Sequence, residues 1–299
     1  MNSEEKFIIR IIFKKKMLEA NGQSFENIFT EIMQYREKNF LQVRPWGQDG
    51  DRKNDGYIPL KKRYYQVYAP LDPENKFCEA VRKAKNDFEE LIKNWEVEEY
   101  FFVFNDKYIG APPQLLEILD DIRSTYFLND SGVIVCKDLE HYLYELEDDQ
   151  IFSILGYIPK LEDISNLEFE ILHEVVNHLM KYNSSQKENI KAPDWDDKLI
   201  FNGLNGTPAE KYLEAGVCLL EELEEYLNNN SDFTSEHIRG KINQIYIDKK
   251  KYFQGLKLFE EIVDELIPRP ETKYWNAVCA IMSKYFISCD VFEDPPNDR

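Results

Sequence analysis

Two side chains in residues 50–70 are of a type and spacing that could hold a hard cation between them. Asp55 stands in the glycine-bounded turn Gly50-Asp51-Arg52-Lys53-Asn54-Asp55-Gly56, and Gln66 stands in the run Tyr65-Gln66-Val67-Tyr68-Ala69-Pro70 that follows. A hairpin of this length aims the Asp55 carboxylate and the Gln66 side-chain oxygen at one point, as Mg²⁺ or Mn²⁺ requires. Gln66 is the more telling of the two. It lies between Tyr65 and Val67 in an apolar strand, so its amide needs a partner, either a cross-strand hydrogen bond or a metal. The plainer reading of the turn is a solvated loop whose Asp residues make Asx-turns. A third candidate, Glu26, follows the apolar Phe25 in the first turn of a helix. Its plain role there is to complement the positive end of the helix.

These residues need elements to carry them. After the turn signal Asn21-Gly22, Ser24 is placed to cap a helix over 25–39, with Phe25, Ile28, Phe29, Ile32 and Met33 on one stripe. Phe40 to Arg44 reads as a strand stopped by Pro45, and Tyr64 to Tyr68 as the next, closed by Pro70. A helix of about 20 residues follows Asp72-Pro73, and the apolar run Glu99 to Phe104 has the length of a central strand. Pro112-Pro113 opens a helix to about Arg123, Gly132 to Cys136 is a short strand, and Asp138 caps a helix to about Leu146. This order predicts an α/β domain over residues 1–150, a central mixed sheet flanked by helices. A weakly periodic stretch near 150–166 predicts a boundary. An all-α domain then spans 160–299, with helices at about 167–182, 234–248, 252–266 and 271–288. A polar loop covers 183–206, and Thr207-Pro208-Ala209-Glu210 reads as a capping box opening one further helix, with Leu213, Val217, Leu220, Leu223 and Leu227 on its stripe.

Composition narrows the function classes. The chain has 299 residues and a net charge of −19. Residues 1–70 hold 13 Lys+Arg against 9 Asp+Glu, a net +4, so the rest carries −23. A body this acidic binds nucleic acid poorly alone. If DNA is the substrate, a partner is expected to supply much of the affinity. Five cysteines lie scattered with no C-x-x-C pair, the usage of free thiols in a reducing compartment. The longest apolar run, Phe7 to Phe13, is interrupted by Arg10 and is too short to span a bilayer. The N-terminus lacks the pattern of a signal peptide. The expectation is a soluble, cytoplasmic protein with no membrane partner.

Phe25-Glu26 on a helix, Asp55-Gly56 after a glycine-bounded turn, and Gln66 on a strand together resemble the Mrr-like branch of the PD-(D/E)xK restriction-endonuclease fold. The wording Gly50-Asp51-x-x-Asn54-Asp55-Gly56-Tyr57 … Tyr65-Gln66-Val67-Tyr68-Ala69-Pro70 is similar to nuclease-like effector subunits of ABC-three-component (Lamassu-type) bacterial defence systems. Similar to that group also are Phe104-Asn105-Asp106-Lys107 with Pro112-Pro113, Leu155-Gly156-Tyr157-Ile158-Pro159, and Lys198-Leu199-Ile200-Phe201-Asn202-Gly203-Leu204. The resemblance implies a metal-dependent endonuclease that cuts DNA with Mg²⁺ or Mn²⁺, held by an SMC-like ATPase subunit and a third small subunit, with self-association also open. It implies Glu26, Asp55 and Gln66 as metal ligands. The family pattern has a Lys two residues after the Glu/Gln; here that position is Tyr68, which brings no positive charge. Lys53, Lys61 and Lys62 are the nearby cations in the sequence. The same fold with an inactive site, serving as a structural or DNA-binding adaptor, is the alternative.

Three other patterns read as structural. His173 and His178 are five apart in a sequence close to H-E-x-x-H, and about 140° apart on a helix, so they cannot share one metal. Lys14-Lys15-Lys16 and Glu221-Glu222-Leu223-Glu224-Glu225 read as solvated faces. No glycine-rich phosphate loop is present, so an ATPase engine must lie on another chain.

Overall fold

In the computed structural model the described residues are 1–43, 54–156, 158, 167–181, 195–229, 235–269, 271, 274–288, 291–293 and 295. The chain divides into two compact units, Lys16–Gly156 and Tyr157–Arg299 together with Met1–Lys15. The first fifteen residues therefore group with the later unit, whereas the sequence reading counted them in the earlier one.

The unit Lys16–Gly156 is built on a five-stranded sheet of order β1-β2-β3-β4-β5: Leu41–Gln42, Gly56–Ile58, Arg63–Tyr68, Glu99–Phe104 and Asp130–Ile134. The first three strands pair antiparallel, and β3, β4 and β5 run parallel. Parallel neighbours need crossovers, supplied by α3 (Phe77–Asn94) and α4 (Pro113–Tyr126). Period two sorts the strands' side chains between faces. Tyr64, Tyr100, Phe102 and Phe104 join Ala84, Phe88 and Leu91 of α3 and Leu115 and Leu119 of α4 in one buried cluster. On the opposite face, the Tyr65 ring meets Phe29 and Phe40 at 5.5 and 5.8 Å and Phe101 at 5.9 Å. Phe29 belongs to α2 (Gln23–Arg36), whose predicted stripe is buried throughout. This helix packs with α5 (Cys136–Tyr144) and α6 (Asp148–Leu155).

Several boundaries differ from the expectation for local reasons. Gly22, not Ser24, holds the N-cap position of α2, because the Ser24 hydroxyl bonds back to the Asn21 carbonyl at 2.8 Å. Asp138 sits inside α5 and accepts from the Val135 N–H at 2.9 Å. The α6 helix fills the start of the expected boundary, with the Glu147 N–H donating to Gln150 Oε1 at 3.0 Å. Residues 44–53, which include Arg44, Pro45, Gly50, Asp51, Arg52 and Lys53, lie outside the described residues.

In the other unit the described elements are helices: α1 (Ser3–Glu19) up to Lys15, α7 (Phe169–Leu179), α8 (Trp195–Phe201), α9 (Pro208–Val217), α10 (Leu220–Asn229), α11 (Ser235–Lys250), α12 (Gly255–Leu266) and α13 (Tyr274–Ile287). The α8 helix falls within the expected loop of 183–206, of which 183–194 lies outside the described residues. The capping box does not form: Thr207 Oγ1 donates to the Leu204 carbonyl, and Glu210 accepts from the Gly206 N–H at 2.6 Å. The leucine stripe that followed is divided between α9 and α10. Close packing of α9 on α13 depends on Gly216, where an added Cβ would lie 2.2 Å from the Cys279 carbonyl oxygen. The basic run of α1 is not a solvated face throughout. Lys14 Nζ pairs with Glu261 at 2.9 Å and Asp264 at 3.2 Å on α12, and Arg10 pairs with Glu260 at 2.8 Å. Among the described residues, no helix is long and apolar enough to cross a membrane.

Candidate metal centre on the second hairpin

Asp55 and Gln66 meet. The Gln66 Nε2 group donates to Asp55 Oδ2 at 2.7 Å, and the Val67 N–H donates to the same oxygen at 2.6 Å. Both side chains are buried, with exposures of 7% for Asp55 and 4% for Gln66. The backbone fixes the approach. The Asp55 N–H donates to the Tyr65 carbonyl at 2.8 Å, and the Asp55 carbonyl accepts from the Val43 N–H at 3.2 Å. Asp55 is thereby held between β1 and β3 at the mouth of β2. Gly56 is required there, because a Cβ would lie 2.5 Å from the Phe40 ring. The carboxylate thus faces the amide nitrogen of Gln66 and not, as the sequence suggested, its oxygen; Oε1 is turned away and, buried, has no hydrogen-bond partner among the described residues.

The other two predicted residues collect at the same end of β3. The N-cap residue of α2, Gly22, donates its N–H to the Ala69 carbonyl at 2.9 Å, one residue beyond β3. Glu26 therefore stands in the helical turn that abuts the end of this strand, half-buried, and no hydrogen bond to its carboxylate occurs among the described residues. Tyr68 shares a strand face with Gln66, but its ring stacks on Phe104 at 6.2 Å and its hydroxyl lies toward the Glu79 carboxylate. Burial first, and then that carboxylate, push the Tyr68 hydroxyl up to about 12, so it stays protonated at neutral pH and cannot serve as a base.

The donor set fits a hard cation. Among the described residues no three His, Cys, Asp or Glu side chains converge as a cage, whereas Asp55 offers a carboxylate and Gln66 an unsatisfied amide oxygen. One or two carboxylates, an amide oxygen and water suit Mg²⁺ or Mn²⁺ rather than Zn²⁺. Of the lysines nearby in sequence, two are engaged elsewhere. Lys61 pairs with Glu37 at 3.3 Å, and Lys62 with Glu96 and Glu98 at 2.7 and 2.9 Å, at the other end of β3. Lys53 lies outside the described residues.

Residues 170–293 match the family described as C-terminal domain 10 of the ABC-three component (ABC-3C) systems. This part of the chain is therefore similar to the C-terminal domain of an ABC-three-component system. The match covers these residues alone, and such systems have several components. Comparison with curated proteins found no match, and neither did comparison with solved structures.

The remaining motifs prove structural. Within the C-terminal domain, His173 Nδ1 meets the Tyr226 hydroxyl at 2.9 Å and His178 Nε2 the Glu265 carbonyl at 3.0 Å, on separate partners. Asn105-Asp106-Lys107 closes β4 onto its neighbours. Asn105 Nδ2 and Lys107 Nζ donate to the carbonyl of Ala20, in the same unit, at 2.8 and 2.5 Å, and Asp106 Oδ1 accepts from the Cys136 N–H at 3.0 Å. Sequence reasoning missed one feature near the hairpin, the pair Lys83–Asp87 on α3. Its signal was Asp87 standing beside Phe88 on a helix side that is otherwise apolar.

Proposed function

We propose that the chain is the effector subunit of a bacterial defence complex of the ABC-three-component type, and that its unit Lys16–Gly156 is a restriction-endonuclease-like domain that hydrolyses DNA phosphodiesters. The C-terminal helical domain docks this unit onto an SMC-like ATPase and a third subunit. The observation that carries the reading is the Asp55–Gln66 pair, a buried carboxylate locked against an amide whose oxygen is left unsatisfied. Buried polar atoms are rarely left so, and an orphan is a natural ligand position.

Asp55, Gln66 and Glu26 would hold the cation, which when bound supplies an acidified water and positive charge against the phosphate. Asp55 is held in place by the two hydrogen bonds it accepts, from Gln66 Nε2 and the Val67 N–H. Gln66 contributes an oxygen without adding a second negative charge beside the first. Tyr57 and Tyr64, stacked at 4.4 Å, and the cluster beneath them exclude water from one side. Electrostatic stabilisation in a dry site is worth more than the same charges in bulk water.

The purified full chain, alone and with its partners, is expected to nick supercoiled plasmid in Mg²⁺ or Mn²⁺, and Asp55→Asn to abolish this. Undiminished nicking by that variant would end the reading. The tie between Tyr68 and Glu79 favours the second reading, an inactive restriction-type domain serving as adaptor. It predicts no cleavage under any of these conditions, with assembly intact.

A further inference from the structure

The position two residues after Gln66 bears no positive charge, and both Lys61 and Lys62 are engaged at the far end of β3. Helix α3 brings a different cation to the near end. Lys83 Nζ lies 6.0 Å from the centroid of the Tyr68 ring and is held by Asp87 Oδ2 at 2.5 Å. We propose that Lys83 is the phosphate-facing cation of the hairpin site and that Asp87 is the residue that positions it. The inference rests on the nuclease reading above.

Three observations support the assignment. First, this pair differs from its neighbours on the same helix. Lys76–Glu79 and Lys85–Glu89 have both members exposed, as ordinary i,i+3 and i,i+4 surface pairs do. Asp87 is buried at 7% side-chain exposure, while Lys83 retains 30%, so the pair has a fixed inner end and a reachable outer one. Second, Asp87 and Asp55 both act on one buried group. The Tyr100 hydroxyl donates to the Ala84 carbonyl of α3 at 3.2 Å and Tyr100 pairs in register with Tyr64 of β3, so this part of α3 packs on the hairpin strand, and the charges of both acids add to burial in raising that hydroxyl. Third, an ammonium has three donors, and one spent on Asp87 leaves two for phosphate oxygens. Asp87 sets the direction of a side chain that would otherwise sample many rotamers. Lys83 makes and breaks no bond in this role; it offsets charge on the non-bridging oxygens.

The test uses the full chain with supercoiled plasmid and Mn²⁺, comparing wild type with Asp55→Asn, Lys83→Gln and Lys83→Arg. Glutamine still reaches Asp87 but carries no charge, and arginine keeps the charge. Lys83→Gln should lower the nicking rate about 100-fold, and Lys83→Arg should stay within about tenfold of wild type. Manganese affinity by electron paramagnetic resonance and thermal midpoint should be unchanged in both. If Asp55→Asn abolishes nicking while Lys83→Gln cuts within about threefold of wild type, the Lys83 assignment is overturned and the nuclease reading stands. Equal loss in both Lys83 variants with a lowered midpoint would make the lysine merely structural and also overturn it. If wild type and Asp55→Asn are equally inactive, the nuclease reading fails and the inference falls with it.

Discussion

Replacing Asp55 with alanine should unfold the sheet-bearing unit more readily, and the size of the effect can be worked out. The carboxylate accepts from two buried donors, Gln66 Nε2 at 2.7 Å and the Val67 N–H at 2.6 Å. A buried donor stripped of its acceptor costs about 1–3 kcal/mol, so two give about 2–6 kcal/mol. Water entering the space left by the carboxyl group reduces this toward about 3 kcal/mol. Asparagine keeps one acceptor oxygen but sets its own amide hydrogens against the second donor, for about half that loss. Urea titrations would give the global effect, and hydrogen exchange of the peptide covering Arg63–Tyr68 would localise it, since the Val67 amide is one of the two donors released. A loss below about 1 kcal/mol for Asp55→Ala would refute the hydrogen-bond geometry from which the site is built. The same arithmetic decides how activity data are read: inactivity of the alanine variant proves little, while that of the asparagine variant bears on the chemistry.

Other outcomes follow from the packing. Gly56→Ala places a Cβ 2.5 Å from the Phe40 ring and should destabilise by about 1–3 kcal/mol; a thermal midpoint equal to wild type would contradict the close approach. Gly216→Ala should likewise lower the midpoint of the helical unit, since its Cβ meets backbone at the Cys279 carbonyl, which cannot rotate away. Burial lowers the Lys14 ammonium and raises the Glu261 carboxyl, but mutual attraction, with Asp264 and Lys257 adding to it, outweighs both, so Lys14 is raised and Glu261 lowered overall. Glu261 therefore stabilises above the ordinary carboxylate range and loses that contribution as pH falls through its depressed value; Lys14 stabilises below the ordinary lysine value and loses it as pH rises through its elevated one. Lys14→Met should flatten the acid limb of a stability–pH curve, and an unchanged limb would argue against the pair. Cys78 and Cys218 are exposed and should react with a thiol reagent at pH 8, whereas Cys136 and Cys279, buried and raised by that burial, should not.

The parts of this fold that showed in the sequence are those whose burial follows a simple rule. The stripe of α2 keeps the helical period, and the short apolar runs of β3 and β4 mark strands buried on both faces. Helix α1 gave no such signal because Phe7, Ile8, Ile9, Ile11, Ile12 and Phe13 are all buried; a helix covered on most sides has no stripe to read. Thr207 was misjudged because a capping hydroxyl can bond backward as readily as forward. Asp55 and Gln66 were legible as a pair, since a short antiparallel connection fixes which residues oppose. Lys83 and Asp87 were passed over, although Asp87 falls on the buried stripe of α3 with Ala80, Ala84, Phe88 and Leu91, because the stripe alone does not say which lysine its carboxylate holds.

The Asp55 oxygen that receives the Val67 N–H is an acceptor, so it admits only the amino end of the Gln66 side chain. The carbonyl end is thereby assigned its outlook by a neighbour, whatever lies beyond it. Glutamine here is no diluted glutamate: Gln66→Glu would press two acceptors together, and one of them would have to borrow a proton to stay. A gain in formal negative charge at this corner would then arrive as a titration step, and divalent-ion affinity in that variant should climb with pH more steeply than in the parent protein.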